Sequence, residues 1–318
     1  MKLMLDDLLA TLRVVSLPTR TNFRGVTYRE VALMQGPQGW GEFSPFLEYD
    51  DNECRPWLAS AIEAATVARP ARFRNEIAIN GTIPELNEKK EIQALMDTCP
   101  GAKTFKVKVG SNLTDNVMRV ARVFSHAPKA AIRVDVNGLW SVDEALTNLY
   151  AYYEEIGPLQ YVEQPCATIE ELRELKRTIK IPLRIAADEI IRKAADPFKV
   201  DLTDAADIVM LKVQPLGGIK RSLEIAAHHG LPVVVSSALE SAVGIEYGLE
   251  LAASISDLTF DCGLATGSLL STDVANHTIL DGKIALGQIT PQLDGLDVSP
   301  DRFEWWKNRI MRVGKLLA

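Results

Sequence analysis

Two lysines occupy alternate positions in the apolar run TFKVKVG at residues 104–110, which the pattern predicts to be a buried strand. Because alternate residues of a strand point to the same face, Lys106 and Lys108 are expected to project together. Ammonium groups are among the most costly side chains to bury. Their shared position therefore indicates a polar cavity at that end of the strand, not a dry core.

Further polar side chains stand near the ends of the apolar runs that follow. They are Asp135 and Asn137, then Glu163, Asp188 and Lys212, and finally Ser236 and Ser237. A single Asp or Lys near a strand end more often forms a salt bridge or caps a loop than takes part in catalysis. Charged residues at the same place in five consecutive runs are instead typical of one shared site. The two serines could also simply end a strand and cap the helix after it.

Three of these residues have the chemistry of a metal site. Asp135, Glu163 and Asp188 would come from adjacent strands, and three ionised carboxylates cannot lie close together without a compensating cation. Carboxylate oxygens favour a hard divalent ion, so Mg²⁺ is expected, whereas zinc would prefer histidine or cysteine. Asn137 and Lys106 are expected beside this ion, where they would orient its ligands or balance their charge.

The elements that position these residues follow a repeated pattern. Eight apolar runs begin at residues 77, 105, 132, 161, 183, 208, 233 and 258, with amphipathic segments between them. Ser141 with Glu144, and Thr168 with Glu171, fit capping boxes at the start of two helices. The repeat predicts an α/β fold, a closed TIM-type barrel whose active site lies at the C-terminal ends of the strands. An open doubly wound sheet is disfavoured, because no G-x-G-x-x-G turn follows the first run.

The barrel places two of the lysines on opposite sides of its mouth. Lys108 lies on the second predicted strand and Lys212 on the sixth, an arrangement suited to acid–base chemistry. A lysine acts as a base near neutral pH only if its pKa is lowered, to roughly 7–8, and burial beside other cations lowers it. We therefore expect Lys108, Lys212 and the adjacent Lys106 to form the catalytic group.

Residues before the repeat have a different pattern. YREVALMQGPQGWGEFSPF alternates like antiparallel strands, and NECRPWLASAIEAATVA has the pattern of a helix. We expect a small α+β capping domain over residues 1–75, completed by the C-terminal segment 286–318, and a (β/α) barrel catalytic domain over 76–285. Trp305 and Trp306 of the last predicted helix are expected to pack against the first domain or the barrel.

Composition and charge exclude several classes of protein. The formal net charge is −7 and no basic cluster is visible, so a nucleic-acid partner is not expected. No run approaches the roughly 18 apolar residues of a membrane span, and the N-terminal stretch lacks a signal-peptide pattern. We therefore expect a cytoplasmic protein with no membrane partner and no obligatory protein partner. Four scattered cysteines are expected to be buried free thiols: Cys54, Cys99, Cys166 and Cys262.

These residues together resemble the enolase superfamily and, within it, the muconate-lactonizing-enzyme subgroup. The shared motifs are KVKVG at 106–110, DVNGLW at 135–140, VEQP at 162–165, ADE at 187–189 and LKVQPLGG at 211–218. The resemblance covers essentially the whole chain and implies a modified barrel of the (β/α)7β type with a capping domain. It also implies that Asp135, Glu163 and Asp188 bind Mg²⁺, with Mn²⁺ as an alternative ion, and that Lys108 and Lys212 are the acid–base pair.

Two local motifs narrow the resemblance. SSALESAVG at 236–244, DCGLATGSLL at 261–270 and the short chain are similar to a short form of enzyme in menaquinone biosynthesis. That enzyme dehydrates 2-succinyl-6-hydroxy-2,4-cyclohexadiene-1-carboxylate to o-succinylbenzoate. The resemblance thus implies a lyase with a small-molecule carboxylate substrate, from which Lys108 removes the α proton.

The same resemblance implies contacts to the rest of the substrate. The residues implied for the succinyl chain are Ser236, Ser237, Gly263 and Leu264, and the loops at 19–23 and 46–50 are implied as a lid. Arg20 and Arg24 are candidates for a carboxylate contact, and equally for an ordinary surface role.

Other activities remain open at this point. Dipeptide epimerases of the subgroup usually carry Asp-x-Asp at the eighth strand, whereas this chain has Asp261, Cys262 and Gly263 there, so an epimerase is disfavoured. N-acylamino-acid racemase and muconate cycloisomerase use the same lysines and are not excluded. A Schiff-base aldolase with Lys212 as the nucleophile is a rival from another class, and a non-catalytic binding barrel is a third. A glycosidase would leave both lysines unexplained.

Overall fold

A computed structural model describes residues 2–23 and 25–317 of the 318-residue chain. The N-terminal elements are α1 (Lys2–Leu9), β1 (Arg13–Phe23), β2 (Val26–Gly36), β3 (Gly39–Phe43) and α2 (Asp51–Thr66). The three strands form an antiparallel sheet in that order, with Val15 opposite Val31 and Ala32 opposite Phe43. The antiparallel strands and the helix predicted before residue 75 are thus present.

The remaining α-helices and strands lie in the repeat region, apart from the last helix, which follows it. They are β4 (Glu76–Ala78), β5 (Gly81–Ile83), α3 (Lys89–Asp97), β6 (Thr104–Lys108), α4 (Leu113–His126), β7 (Ala131–Asp135), α5 (Val142–Ile156), β8 (Tyr161–Glu163), α6 (Ile169–Thr178), β9 (Ile185–Ala187), α7 (Glu189–Arg192), β10 (Ile208–Lys212), α8 (Val213–Leu216), α9 (Ile219–His229), β11 (Val233–Ser236), α10 (Ala242–Ala253), β12 (Ile279–Leu280), β13 (Lys283–Ala285) and α11 (Pro300–Lys315). Both predicted capping boxes are formed, Ser141 with Glu144 at α5 and Thr168 with Glu171 at α6.

The barrel is built from β5 to β11, which form one parallel sheet in sequence order. The two edges of this sheet are joined by the segment around residue 262. Cys262 bridges Ile79 and Gly263 bridges Ser236, and the Gly263 amide donates to the Val235 carbonyl at 2.8 Å. The predicted TIM-type barrel of the (β/α)7β kind, with a separate smaller sheet and its helices, is therefore confirmed.

The structure departs from the prediction at the first and eighth runs. The run from residue 77 is divided, because β4 pairs antiparallel with β13 and only β5 joins the barrel. The Ile79 amide donates to the Gly282 carbonyl, which keeps the chain in the antiparallel sheet up to that point. The run from residue 258 makes isolated bridges without a regular strand. Strand periodicity cannot distinguish these cases, since every sheet imposes the same alternation.

Helix α2 lies unusually close to the N-terminal sheet. A Cβ atom at Gly41 would lie 2.0 Å from the Ala61 carbonyl oxygen, and one at Gly36 would lie 2.4 Å from that of Ala65. Only glycine permits this approach of helix to strand. The short separation lets α2 project Trp57 toward the barrel mouth, where it lines a cavity together with Lys108 and Lys212.

The last helix returns to the N-terminal sheet. Trp306 of α11 is completely buried, its ring meets Phe43 edge-on at 5.8 Å between centroids, and its indole N–H donates to Glu30 at 2.8 Å. Burial of an aromatic ring of this size contributes about 2–3 kcal/mol to folding. Trp306 thus packs against the N-terminal sheet, one of the two placements expected for it.

Four free cysteines are buried, as predicted: Cys54, Cys99, Cys166 and Cys262. In the part of the chain that the structure describes, no helix combines the length and the apolarity needed to cross a bilayer.

Candidate active site

The strand register brings the predicted site residues together. Lys108, Asp135 and Glu163 end β6, β7 and β8 and are direct partners across the parallel sheet. Asp188 follows β9 directly, and Lys212 ends β10. All five therefore lie at the C-terminal end of the barrel, and none is more than 7% exposed.

Two lysines share the carboxylates of β7 and β8. Lys108 Nζ lies 2.5 Å from Asp135 Oδ2, and Lys106 Nζ lies 3.1 Å from the same oxygen. Lys106 Nζ also lies 2.8 Å from Glu163 Oε2. Lys106 and Lys108 thus point to one cavity, as their alternate spacing predicts, and their charges are compensated there.

The opposite side of the mouth has its own cations. Lys212 Nζ lies 2.6 Å from Asp188 Oδ2 and 3.9 Å from Glu163 Oε1. Arg192 Nε donates to Asp188 Oδ1 at 3.2 Å, and its terminal nitrogen donates to Glu189 at 2.5 Å. Arg192 is not among the residues predicted for the site. Its spacing from Asp188 nevertheless carries a signal, because a residue four positions later in a helix shares the same face.

Carboxylates and cations balance in this cluster. The carboxylates are Asp135, Glu163, Asp188 and Glu189, and the cations are Lys106, Lys108, Lys212 and Arg192. Side-chain amines and a guanidinium therefore compensate the carboxylates in this structure. Charge balance alone therefore does not require a metal, and only the donor atoms themselves can indicate one.

The donor atoms fit a hard divalent cation. Among residues 2–23 and 25–317, no three carboxylate, imidazole or thiolate groups are already gathered around one point. Within the same residues, however, Glu163 Oε1 and Glu189 Oε2 are buried and have no hydrogen-bond partner. Burial, followed by the charge of Asp135, raises the pKa of Glu163 to about 7. Buried carboxylate oxygens that lack a donor are suited to Mg²⁺ or Mn²⁺, which prefer oxygen ligands.

The two lysines of β6 differ in acidity. Burial lowers the pKa of Lys108. The charge of Asp135 opposes this shift, whereas the charges of Lys106 and Lys212 increase it. Burial alone would also lower the pKa of Lys106, but Glu163 and Asp135 outweigh it and raise that pKa. Lys108 therefore releases a proton more readily than Lys106 and is the better general base of the two.

Asn137 is a second residue, besides Asp135, that contacts the Lys108 amine. Its side-chain oxygen accepts from Lys108 Nζ at 2.8 Å, and its amide nitrogen donates to Glu189 at 3.0 Å. The backbone of Asn137 is left-handed, with φ of 55°, a region that asparagine tolerates better than most residues. The residue therefore contacts the Lys108 amine and Glu189, whereas its expected role beside a metal ion stays a prediction.

The residues expected near a succinyl chain separate into two groups. Ser236 and Ser237 line the cavity beside the lysines, and Ser237 Oγ donates to the Gly263 carbonyl at 2.7 Å. Among the described residues around this cavity, neither Gly263 nor Leu264 contributes to its lining. Leu264 instead points to α10, where a Cβ at Gly248 would lie 2.7 Å from its side chain. The N-cap of α10 is Ser241, so neither serine caps that helix.

The cavity is covered by aromatic side chains. Its volume is about 30 Å³, and its lining includes Phe23, Phe46 and Trp57 together with Lys108 and Lys212. Sites for small molecules usually have about 300–1,000 Å³. Phe46 belongs to the loop at 46–50 that is expected to form a lid. Residues 19–23 are not a loop, because they form the end of β1, and the ring centroid of Phe23 lies 5.9 Å from Lys108 Nζ. A cavity of this volume is too small for the substrate that the sequence resemblance implies.

Of the two arginines considered for a carboxylate contact, Arg20 does not line this cavity. Arg20 is exposed and donates from Nε to the Ser268 carbonyl at 3.0 Å. Arg24 lies outside the described residues.

A buried polar junction joins β3 to the barrel next to the site. Glu42 accepts hydrogen bonds from the Ser241 hydroxyl at 2.5 Å and from the Gly244 amide at 2.9 Å. Arg29 of β2 donates to the carbonyls of Ser44 and Leu239, the latter at 3.1 Å. Leu239 itself lines the catalytic cavity and has a left-handed backbone with φ of 63°.

Glu240 is the one acid of this junction with an unsatisfied oxygen in the described residues. Its Oε2 accepts from the Ala238 amide at 2.5 Å, whereas Oε1 is buried without a hydrogen-bond partner. Burial, followed by the charge of Glu42, raises the pKa of Glu240 to about 7. The junction therefore contains a carboxyl group that is neutral in mildly acidic solution.

Comparison with known proteins agrees with this fold. Residues 14–65 match the family model described as Enolase N-terminal domain-like, and residues 89–303 match the one described as Enolase C-terminal domain-like. Muconate lactonizing enzyme from Pseudomonas putida is 20% identical, with a TM-score of 0.69 over 92% of this chain and 97% of that one. The L-Ala-D/L-Glu epimerase from Bacillus subtilis is also 20% identical, with a TM-score of 0.73 over 88% and 96%. At such identities these two structures establish the fold alone.

Curated relatives are much more similar in sequence. The o-succinylbenzoate synthase of Mycobacterium ulcerans is 49% identical over 98% of this chain and 96% of its own length. That of Mycobacterium tuberculosis (strain ATCC 25618 / H37Rv) is 48% identical over 99% and 97%. The chain therefore belongs to the enolase superfamily and, within it, to the family of the o-succinylbenzoate synthases.

Proposed function

We propose that this chain is a lyase that dehydrates 2-succinyl-6-hydroxy-2,4-cyclohexadiene-1-carboxylate to o-succinylbenzoate in menaquinone biosynthesis. The full-length likeness to o-succinylbenzoate synthases supports the reaction. The observation that carries the chemistry is the position of Lys108, held between Asp135 and Asn137 across the mouth from Lys212. This arrangement provides one amine as a base and a second cation for the developing charge.

A divalent cation, Mg²⁺ or Mn²⁺, would be held by Asp135, Glu163 and Asp188. When bound, it supplies Lewis-acid polarisation of the substrate carboxylate. Lys106 holds the side chains of Asp135 and Glu163 in place, since its ammonium contacts both. Arg192 does the same for Asp188. These two cations therefore fix the orientation of the three proposed ligands.

The proton transfers are assigned to Lys108. As the neutral amine it takes the proton from the carbon next to the carboxylate, and the electron pair of the broken C–H bond moves toward the carboxylate. Lys212, fixed by Asp188, places its positive charge where this negative charge develops. The Lys108 ammonium then gives its proton to the departing hydroxyl group, which leaves as water. The ring becomes aromatic, and Lys108 returns to the neutral amine.

Other assignments fit these contacts less well. A Schiff-base aldolase needs the Lys212 nitrogen free to attack a carbonyl carbon, whereas here that nitrogen is engaged by Asp188 at 2.6 Å. Racemisation of N-acylamino acids needs the same two lysines on opposite sides of the site, so it is a second reaction to be assayed. We also propose that residues 1–75 and 286–318 form one capping domain, because α11 packs on the N-terminal sheet and Phe23, Phe46 and Trp57 cover the cavity.

The test is a spectrophotometric assay of the purified protein. Conversion of the cyclohexadiene carboxylate to the aromatic product is followed beside parallel assays with N-succinyl amino acids and with muconate. We expect dehydration that a chelator abolishes and that Mg²⁺ restores. Turnover of muconate or of N-succinyl amino acids without any dehydration would contradict the proposal.

A further inference from the structure

A second, larger cavity adjoins the catalytic one. Trp57 and Arg192 line both cavities, so these two side chains form the wall between them. The second cavity has a volume of about 320 Å³, against about 30 Å³ for the catalytic one. It is therefore large enough to hold a small molecule while the covered catalytic cavity is not. We call it the basic pocket and define it by Arg55, Trp57, Arg192, Lys193 and Arg221.

The basic pocket contains positive charges without carboxylate partners. In the described residues, Arg55 and Arg221 form no ion pair and no hydrogen bond. Within residues 2–23 and 25–317, the Lys193 ammonium contacts the Tyr49 ring, 5.8 Å from its centroid, and forms no ion pair. The carboxylate in the lining, Glu53, belongs to the capping box of α2. The pocket thus presents three cations that are available to a ligand.

This surplus is local, because the chain as a whole carries a formal net charge of −7. Positive side chains that line a concave surface concentrate the electric field and raise the local concentration of anions. A ligand with two carboxylates gains more from this field than a neutral one or a monoanion, since the attraction scales with its charge. The chemistry of the basic pocket therefore selects small dicarboxylates.

We propose that the basic pocket captures the dicarboxylate substrate before it passes Trp57 and Arg192 into the catalytic cavity. The identity of the substrate rests on the proposed function, and the capture of a dicarboxylate rests on the pocket. Arg55, Lys193 and Arg221 act by charge on binding and do not take part in the dehydration. Arg192 forms the wall through its ion pairs with Asp188 and Glu189, which connect the pocket to the proposed metal ligands.

The kinetic test removes two of these charges. R55Q/R221Q is compared with K103Q/K129Q, which changes the net charge equally but replaces exposed lysines that precede β6 and β7 at the other end of the barrel. At about 20 mM salt we expect kcat/KM of R55Q/R221Q to fall roughly tenfold with kcat retained, and at about 500 mM salt we expect the difference to disappear. The exposed Lys193→Gln is expected to give a smaller change of the same kind. A kcat/KM equal to that of K103Q/K129Q at both salt concentrations would overturn the proposal.

A binding test separates this proposal from the proposed function. Phthalate, an aromatic dicarboxylate that cannot be dehydrated, is titrated calorimetrically into the wild type and both double variants at low salt. We expect its Kd to rise at least roughly fivefold in R55Q/R221Q and to stay unchanged in K103Q/K129Q. If the wild type binds phthalate in this way but does not dehydrate the diene, the pocket stands and the proposed function fails. If the wild type dehydrates the diene and R55Q/R221Q binds phthalate normally, the capture proposal alone fails.

Discussion

Lys108 and Asp135 stand side by side at the ends of β6 and β7, with Nζ 2.5 Å from Oδ2. The same carboxylate oxygen lies 3.1 Å from Lys106 Nζ, so two amines share one acceptor. Two ammonium groups this close repel each other, and Lys106 is the one that Glu163 also stabilises. The proton is therefore lost more easily from Lys108, which gives the site one permanent cation and one base.

Removal of the Lys108 amine is expected to abolish most of the activity without loss of the fold. We expect Lys108→Ala to lower kcat for dehydration by roughly 10²–10⁴-fold, the usual cost of losing a general base. Circular dichroism should remain that of the wild type, because Lys106 still compensates Asp135 in the variant. Lys103→Ala, on the same segment but exposed before β6, is the matched control and should keep wild-type kcat. A Lys108→Ala enzyme within about tenfold of the wild type would show that another group is the base.

Metal binding at Glu163 is expected to stabilise the fold. Magnesium at about 100 times its Kd should stabilise the wild type by about 2.7 kcal/mol, which corresponds to roughly 5 °C in Tm. Glu163→Gln keeps the hydrogen bond to Lys106 but loses the charge and the unpartnered carboxylate oxygen, so its Tm should respond little to magnesium.

The exposed Glu154→Gln on α5 provides the control for this charge change and should respond like the wild type. Thermal melts of all three proteins, with and without magnesium, need no substrate and are therefore independent of the reaction. An equal rise in Tm for wild type and Glu163→Gln would place the ion elsewhere.

The sequence predicts the barrel well because its signals are local and repeated. Capping boxes such as Ser141 with Glu144 depend on residues three positions apart, and they are formed where expected. The division of the first run between β4 and β5 depends instead on Lys283–Ala285, about 200 residues later in the chain, with which β4 pairs. No periodicity over a short window contains that information.

In the candidate site, too, local patterns predict some features and contacts between distant segments determine others. The convergence of Lys108, Asp135 and Glu163 could be predicted, because strand order and the side-chain period fix it. The place of Arg192 depends on how the short helix α7 turns after β9, and the cover of aromatic rings depends on how close α2 lies to β3. Both are results of packing between distant segments, so the sequence pattern alone does not contain them.

Asn137 offers a test of positioning that is separate from the chemistry. Asn137→Gly removes the amide that holds Lys108 but keeps the left-handed backbone, whereas Asn137→Ala also strains that backbone. We expect kcat to fall roughly 10–100-fold in both variants, as for groups that orient site residues. We expect only Asn137→Ala to lose a further 1–2 kcal/mol or so in free energy of unfolding.

Measurement of kcat, KM and urea unfolding for the two variants separates these effects. A lost orienting contact should also shift the acidic limb of the pH profile of kcat, since Lys108 would lose one of its acceptors. Wild-type kcat in Asn137→Gly would mean that Asp135 alone positions the Lys108 amine.

Glu240 predicts how stability depends on pH. Its pKa is raised from about 4.5 in the unfolded chain to about 7 in the fold, first by burial and then by the charge of Glu42. Between these two values the folded state binds more protons than the unfolded state, so its contribution to stability falls as pH rises. From about pH 5 to about pH 8 this single group should cost about 2–3 kcal/mol. Glu240→Gln keeps an oxygen for the Ala238 amide and removes the titration.

Urea unfolding at both pH values measures this difference. We expect the wild type to lose about 2–3 kcal/mol more than Glu240→Gln between about pH 5 and about pH 8, and Glu240→Gln to be the more stable of the two at the higher pH. The exposed Glu224→Gln on α9 is the control and should follow the wild type, because solvent already surrounds that side chain. Equal losses in the wild type and Glu240→Gln would show that the second oxygen of Glu240 finds a compensating donor when it ionises. The junction between β3 and the loop before α10 would then hold equally well with Glu240 charged.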